Sequence, residues 1–405
     1  MITKKIIWFY PHLRFFMGGT VHLLEQLKEI KRRGYDVSLI INTGDLQIIE
    51  KFKKEGNLKV NNLNTFCTND FIYWIFFPIF LLADLFRIYK IINKKLDQDN
   101  SKEVVFFATL FPSNLIAFIL SRLFKKKYYY YCYEPFPFFH DKEYINKQPF
   151  FRRMVLKILS FLYGWLDIIA VQKAKKIFTF NFIKRKLIKK VYNRDSIVTF
   201  LGIDTEFFRK IPDRENFVLK QYKGKYLVYH STDYTPTKNT DKAIEIIRRV
   251  VNKEPNVLLL ISSTQPNNPN KKKYIELVKK YRLEEKVKFL DLLPRDHLPY
   301  YYSASVCYLF TATLDIHSTS LPNLEAMACQ TPVIRPYLKE EGDYEFHDGE
   351  AGYIVNINNY DEVANKIVDF IRNPNLRTKM GITGRKIIEN KYRWESVVDK
   401  ILSNI

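Results

Sequence analysis

Two successive α/β series, each built on its own parallel sheet, are the fold this sequence predicts, and three observations carry it. Short, almost wholly apolar runs recur along the chain, the pattern of strands buried on both faces of a parallel sheet. Amphipathic stretches of helical spacing separate them, as βαβ alternation requires. The 405 residues exceed one ordinary core and suit two domains of roughly 200 residues each.

Lys5 to Tyr10 reads as a buried first strand, followed by a turn at Gly18 and Gly19. The next helix carries Leu23, Leu24, Leu27 and Ile30 on one face, Gly34 ends it, and Val37 to Ile41 forms the second strand. Val104 to Phe107, Tyr128 to Tyr131, Ile177 to Phe180 and Ile197 to Phe200 continue the series. The charged, weakly patterned stretch 211–224 reads as the linker. A second series then starts at Lys225, with strands at Tyr226 to Tyr229, Val257 to Ile261, Val287 to Leu290, Val306 to Leu309, Pro332 to Ile334 and Tyr353 to Val355. Helices are expected between them at 240–252, 272–281, 321–329 and 361–371. The domain reading is 1–210, 211–385 and a terminal helix over 386–405.

Composition is globular, with 47% hydrophobic and 27% charged residues, yet Lys+Arg of 65 against Asp+Glu of 43 leaves a net charge of +22. Such an excess points to an anionic partner: nucleic acid, a membrane surface or an acidic substrate. The basic runs at Lys125–Lys127, Lys184–Lys186 and Lys271–Lys273 come with no zinc-finger, homeodomain or KH signature, so nucleic acid is not the expected partner. Cys67, Cys132, Cys307 and Cys329 show no metal-ligand spacing, which fits a reduced cytoplasmic setting without structural zinc. The N-terminus enters a strand almost at once and shows no hydrophobic run long enough for a signal peptide.

Phe71 to Tyr89 is aromatic and nearly uncharged, interrupted by Pro78 and Asp84. It falls short of the roughly 20 apolar residues of a spanning helix. A buried helix pair and a basic-flanked surface lying on an anionic bilayer both remain open. A second apolar patch, Val155 to Val171 with Leu156 and Trp165, could extend that surface.

The most informative stretch runs from His317 to Ile334. Apolar Val306 to Phe310 leads into a polar loop, a short helix pattern carries Glu325, and a strand comes after it. In an open α/β sheet the ligand binds beyond the carboxyl ends of the strands, so Glu325 would stand at that rim among helix amides. The pattern suits a phosphorylated, hydroxyl-rich ligand. Its bland alternative is a helix-end carboxylate that only caps its neighbours.

These segments resemble the nucleotide-sugar-dependent glycosyltransferases called family 4, whose GT-B architecture sets two Rossmann-like domains face to face across a cleft. The resemblance spans nearly the whole chain. Gly18-Gly19-Thr20 and Arg33-Gly34-Tyr35-Asp36-Val37 look like the family's glycine turn and second strand. Tyr130 to Pro135 looks like its acceptor-side strand end, and Asn181, Leu201 to Asp204 and Phe207 like the segment leading out of the first domain. Tyr229 to Asp241 resembles the donor-phosphate loop, His317 to Ile334 the paired-carboxylate motif, and Asp348 to Val355 the loop and strand after it. Arg393-Trp394 and the final helix resemble the family's terminal helix, which packs back on the first domain. Four positions depart from the pattern. His317 stands where the family has its first carboxylate, Thr232 falls near the place of its usual arginine, Tyr133 replaces a histidine and Gln330 a glycine.

The resemblance implies roles. Gly18 and Gly19 would let the backbone approach the transferred sugar and phosphate; a glycine pair is otherwise a plain turn. Lys238 would neutralise a leaving diphosphate, or else be a solvent-exposed lysine at a helix start. Ser231 and Thr232 would add hydroxyl donors, and the amides from Ser318 to Leu321, Ser320 and Leu321 among them, would bind hydroxyls or phosphate. Glu325 would accept from ribose hydroxyls. His317 would contact the donor sugar or the phosphate according to its protonation, or simply bond nearby backbone. Glu134 would act as a general base or hydroxyl orienter beside Tyr133, with His140 as the alternative base; otherwise Glu134 pairs with the basic run before it. No Asp-x-Asp pair suggests a metal-bridged diphosphate, so no metal is expected.

The function implied is hexose transfer from a UDP- or GDP-linked sugar to a glycan or lipid-linked acceptor, with the anomeric configuration retained and the cleft closing over the reaction. A non-catalytic partner protein of the same fold, and another nucleotide-sugar enzyme such as a phosphorylase or epimerase, are the alternatives. The expected placement is cytoplasmic, on the membrane face where the aromatic segment and basic patches would meet anionic lipid.

Overall fold

A computed structural model describes residues 4–16, 18–66, 70–97, 103–312, 320–337 and 344–405. The first sheet holds β1 (Lys5–Leu13), β2 (Asp36–Gly44), β3 (Lys59–Asn62), β4 (Val104–Ala108), β5 (Lys127–Tyr131), β6 (Ile177–Thr179) and β7 (Ile197–Val198), in the order β3-β2-β1-β4-β5-β6-β7. The second holds β8 (Tyr226–Thr232), β9 (Val257–Ser263), β10 (Val287–Leu290), β11 (Ser305–Leu309), β12 (Val333–Pro336) and β13 (Gly352–Val355), in the order β10-β9-β8-β11-β12-β13. All neighbouring strands pair in parallel.

Both orders are those of a doubly wound Rossmann-like sheet, and each reverses once, between β1 and β4 and between β8 and β11. Ligand sites form beyond the strand carboxyl ends at such a reversal. The chain divides into two compact units, one of Met1–Gly202 with Val397–Ile405 and one of Ile203–Ser396. The helix Trp394–Leu402 therefore begins in the second unit and ends in the first. There Val397, Val398 and Ile401 are buried, Asp399 pairs with Arg33 at 2.8 Å, and the carbonyl of Ile405 accepts from Lys4 Nζ at 3.2 Å. Two Rossmann-like sheets with a returning C-terminal helix make up the GT-B fold.

Burial explains which strands form. β4 is buried along its whole length, as is β9. An aromatic row crosses the first sheet, with Trp8 stacked on Phe107 at 4.6 Å, Phe107 on Tyr129 at 5.2 Å and Phe107 on Phe178 at 5.9 Å. Each expected strand is present, several of them longer. β1 continues past Pro11 because pairing with β4 stops at Phe9, so the proline falls where β1 has one neighbour only, the edge setting that tolerates it. β3 was not expected: Lys-Val-Asn-Asn is a polar edge strand with no fully buried residue.

One expectation is corrected. The stretch 211–224 is not a free linker, since Ile211 N–H donates to Ser303 Oγ at 2.9 Å and Asn216 Nδ2 to the Tyr300 carbonyl at 2.9 Å, within the second unit. The aromatic segment forms two helices, Phe71–Ile75 and Phe77–Asp97. Among the described residues, one helix, Phe150–Gln172, is long and apolar enough to cross a membrane by length and composition, and it contains the second apolar patch.

Candidate functional site

In the second unit, the reversal gathers the segments after β8 and β11. Thr311, just beyond β11, ties them together: its Oγ1 donates to the Lys238 carbonyl at 2.6 Å, and its own carbonyl accepts from Asn239 Nδ2 at 3.0 Å. Asn239 takes the left-handed conformation (φ 50°) before the helix Thr240–Val251. Lys238 thus has its backbone fixed while its half-buried amine has no hydrogen-bond or ion-pair partner among the described residues. A cation held this way is free to meet an anionic ligand.

The β8 end itself is polar and internally bonded. Thr232 Oγ1 lies 2.8 Å from Thr240 Oγ1 and accepts from Tyr234 N–H at 2.9 Å, so this buried hydroxyl shapes the turn. Ser231 Oγ is 2.6 Å from Tyr308 Oη and is half-buried. Beneath them, His230 bonds the Leu309 carbonyl through Nδ1 at 2.9 Å and Thr240 Oγ1 through Nε2 at 3.3 Å. Nδ1 must carry the proton to donate to that carbonyl.

Glu325 lies on the helix Leu321–Ala328 and accepts from Tyr302 Oη at 2.8 Å. It is half-buried, and burial raises its pKa against the opposing effects of the Tyr302 bond and the Arg295 charge. Tyr229, Tyr302 and Tyr308 pack on one another with centroids 5.1 to 5.9 Å apart, a wall that supports the carboxylate from below. Sequence patterning does not single out Tyr302, Tyr308 or Thr311. The one signal they carry is their place in or beside β11, which does not distinguish them from core residues.

Ser320 stands apart from its expected role. Its N–H donates to Glu345 Oε1 at 2.9 Å, the same oxygen accepts from Asn323 Nδ2 at 3.0 Å, and Glu345 Oε2 pairs with buried Arg335. The chain's own carboxylate therefore occupies the amide that was expected to bind donor. Leu321, the next residue, begins the helix and is half-buried. His317 lies outside the described residues, as do Ser318 and Thr319.

In the first unit, Gly18 and Gly19 open the helix Gly18–Arg32 just beyond β1 and are exposed. The Gly19 carbonyl accepts from Tyr133 Oη at 3.1 Å, and a Cβ on Gly19 would lie 3.4 Å from the Tyr133 ring. The glycine turn and the β5 end are thus neighbours. Glu134 pairs with Lys184, at 3.2 Å, rather than with the run 125–127. The lysine is buried and the carboxylate is 44% exposed, so Glu134 is oriented yet reachable. His140 is not a free base: its Nε2 sits 2.7 Å from Asp167 Oδ2 in a buried network with Asn114 and Tyr192. Among the described residues, no group of three or more His, Cys, Asp or Glu side chains is placed to hold a metal ion.

Two buried imidazoles make stability pH-dependent. Desolvation lowers the pKa of His22 to about 3 and that of His230 to about 4. The unfolded chain binds protons that these residues refuse, so stability falls as pH drops from the unfolded value near 6.5 towards 4, by about 3 kcal/mol for His230 alone. Asp84, raised to about 6 by burial, acts in the opposite sense below pH 6. Urea denaturation of wild type and His230→Asn between pH 7 and 4 should show the variant less stable at pH 7 and the gap narrowing on acidification. A constant gap would place the proton elsewhere.

Residues 213–387 match the family model described as Glycosyl transferases group 1. Among curated relatives, the chain is 26% identical over 186 residues to the poly(ribitol-phosphate) alpha-N-acetylglucosaminyltransferase of Staphylococcus aureus, covering 45% of this chain and 36% of that one. It is 24% identical over 207 residues to the GDP-mannose-dependent alpha-(1-6)-phosphatidylinositol monomannoside mannosyltransferase of Mycolicibacterium smegmatis, covering 48% and 52%. The matches span about half the length of these relatives or less. Whole-chain likeness appears in solved structures. The Anabaena protein HepE in complex with UDP superimposes with a TM-score of 0.74 at 13% identity, over 98% of each chain. Sucrose-phosphate synthase from Thermosynechococcus elongatus does so with 0.72 at 15% identity, over 99% of this chain and 98% of that one. The chain has the GT-B fold and is related, through residues 213–387, to the group 1 glycosyl transferases.

Proposed function

We propose that this protein transfers a hexose from a UDP- or GDP-linked sugar to a hydroxyl of a glycan or lipid-linked acceptor, in the manner of the family 4 enzymes. The observation that carries the reading is the pairing of two chemistries at one sheet reversal. Lys238, a cation without a partner among the described residues, follows β8, and Glu325, a half-buried carboxylate, follows β11. The amine neutralises charge on the departing diphosphate, and the carboxylate accepts from the ribose hydroxyls. Ser231 and the Leu321 amide add donors, while Thr232 acts through the turn it holds. His317 meets the donor sugar when neutral or the departing phosphate when protonated.

The first unit takes the acceptor. Glu134, oriented by Lys184, directs the acceptor hydroxyl, and Gly18 and Gly19 let the backbone approach the transferred sugar and phosphate. Retention of configuration follows from the family resemblance. The glycosyltransferase relatives and the UDP and UDP-glucose complexes of HepE support this reading. The setting we propose is the cytoplasmic face of a membrane.

The test is a transfer assay in which UDP- and GDP-hexoses, labelled in the sugar, are incubated with the protein and a membrane lipid or glycan extract. Label should enter the acceptor fraction in step with release of nucleoside diphosphate, and the product's anomeric configuration should match the donor's. Donors left intact across the panel, or interconverted without an acceptor, would overturn the proposal.

A further inference from the structure

We propose that the outer faces of Phe77–Asp97 and Phe150–Gln172 form one surface of the first unit that lies on an anionic lipid bilayer without crossing it. This inference needs no transferase activity. The two helical segments meet through Tyr163, whose ring is 4.7 Å from Phe77 and 6.0 Å from Trp74. Flanking that contact, Ile79, Leu82 and Phe86 on one helix and Ile158, Phe161 and Trp165 on the other face outward, with Phe161 84% exposed. Such a patch exceeds the scattered apolar residues of an ordinary surface.

Charge decides the occupant. Over 71–94 and 150–172 the only carboxylates are Asp84 and Asp167, and both are buried. Asp84 Oδ2 accepts from Asn42 at 2.6 Å, while Asp167 accepts from Asn114 at 2.5 Å and Tyr192 at 2.8 Å, with His140 beside it. The cations Lys90, Lys94, Arg152 and Lys157 are all exposed. Where Ser113–Leu123 and Phe150–Gln172 end, a cavity of about 380 Å³ is lined by Arg122, Lys125, Lys126, Lys173 and Lys175 with no carboxylate. It has room for lipid phosphate. Acids inward, cations outward and aromatic side chains between them match an anionic interface.

The same buried carboxylates argue against crossing. Phe150–Gln172 is held by the Asp167 bonds and by Gly164 against Phe139. A span would strip those partners from Asp167 and expose it to hydrocarbon.

The chain carries its own probe. Of its four tryptophans, Trp8, Trp74 and Trp394 are buried and Trp165 is 55% exposed. The full-length protein should co-sediment with vesicles containing phosphatidylglycerol and not with pure phosphatidylcholine vesicles, and its emission should shift to the blue, a shift lost in Trp165→Phe. Phe161→Asp with Leu82→Asp, checked for unchanged circular dichroism, should weaken binding roughly tenfold or more, and Lys125→Glu with Lys126→Glu several-fold. No sedimentation, equal binding to both vesicles, or binding without a blue shift would each overturn the proposal. So would self-association abolished by Phe161→Asp, which would assign the face to a second copy of the chain.

Discussion

Replacing Lys238 by alanine should lower kcat roughly 10²- to 10³-fold, the range seen when one preorganised group facing a developing negative charge is removed. Ground-state binding should change less, because the charge on the leaving diphosphate grows as the glycosidic bond breaks. The structure makes this substitution a clean one. The staple between the β8 and β11 segments uses the Lys238 carbonyl, not its amine, so truncation leaves the loop anchored. Circular dichroism and thermal unfolding should stay near wild type. A variant with turnover within twofold of wild type would remove Lys238 from the chemistry.

The largest stability effect should come from Glu345→Ala. Arg335 and Glu345 are both fully buried as side chains, and the rings of Tyr344 and Phe310 pack 5.0 and 5.9 Å from the guanidinium. Removing one member of a buried pair leaves the other charge uncompensated, a cost of about 3–5 kcal/mol. The Ser320 amide and Asn323 side chain lose their acceptor as well, and both sit at the start of the helix that carries Glu325. Chemical denaturation should therefore show a loss of that size, and Glu345→Gln a smaller one. A loss under 1 kcal/mol would mean that water reaches the pair.

The fold was legible where burial on both faces left no choice of residue. β1, β4, β5, β8, β9 and β11 read as apolar runs, and βαβ spacing then implied parallel sheets. β3 was illegible because an edge strand of Lys, Val and two Asn carries no such constraint. At the site, the strand–loop–helix pattern singled out Glu325 and the family resemblance singled out Lys238, whereas the groups that support them locally were not legible. Tyr302 reaches Glu325 across 23 residues and Glu345 reaches Ser320 across 25, pairings that only the folded chain defines. Asp84 and Asp167 show the same limit. In the sequence they merely interrupt apolar stretches, whereas in the structure they turn inward to partners on other elements and leave 71–94 and 150–172 with no exposed carboxylate.

Calorimetric titration of UDP and of GDP into wild type and Glu325→Ala shows whether the second unit binds a nucleoside diphosphate through Glu325. One of the two nucleotides should bind saturably. The variant should bind it roughly 100-fold more weakly, the loss expected for about two charge-assisted hydrogen bonds to the ribose. Glu325→Gln, which can still accept from Tyr302, separates the lost charge from the lost support of that tyrosine. Failure of folded wild type to bind either nucleotide would rule out a nucleoside diphosphate site, and binding that Glu325→Ala leaves unchanged would remove Glu325 from it.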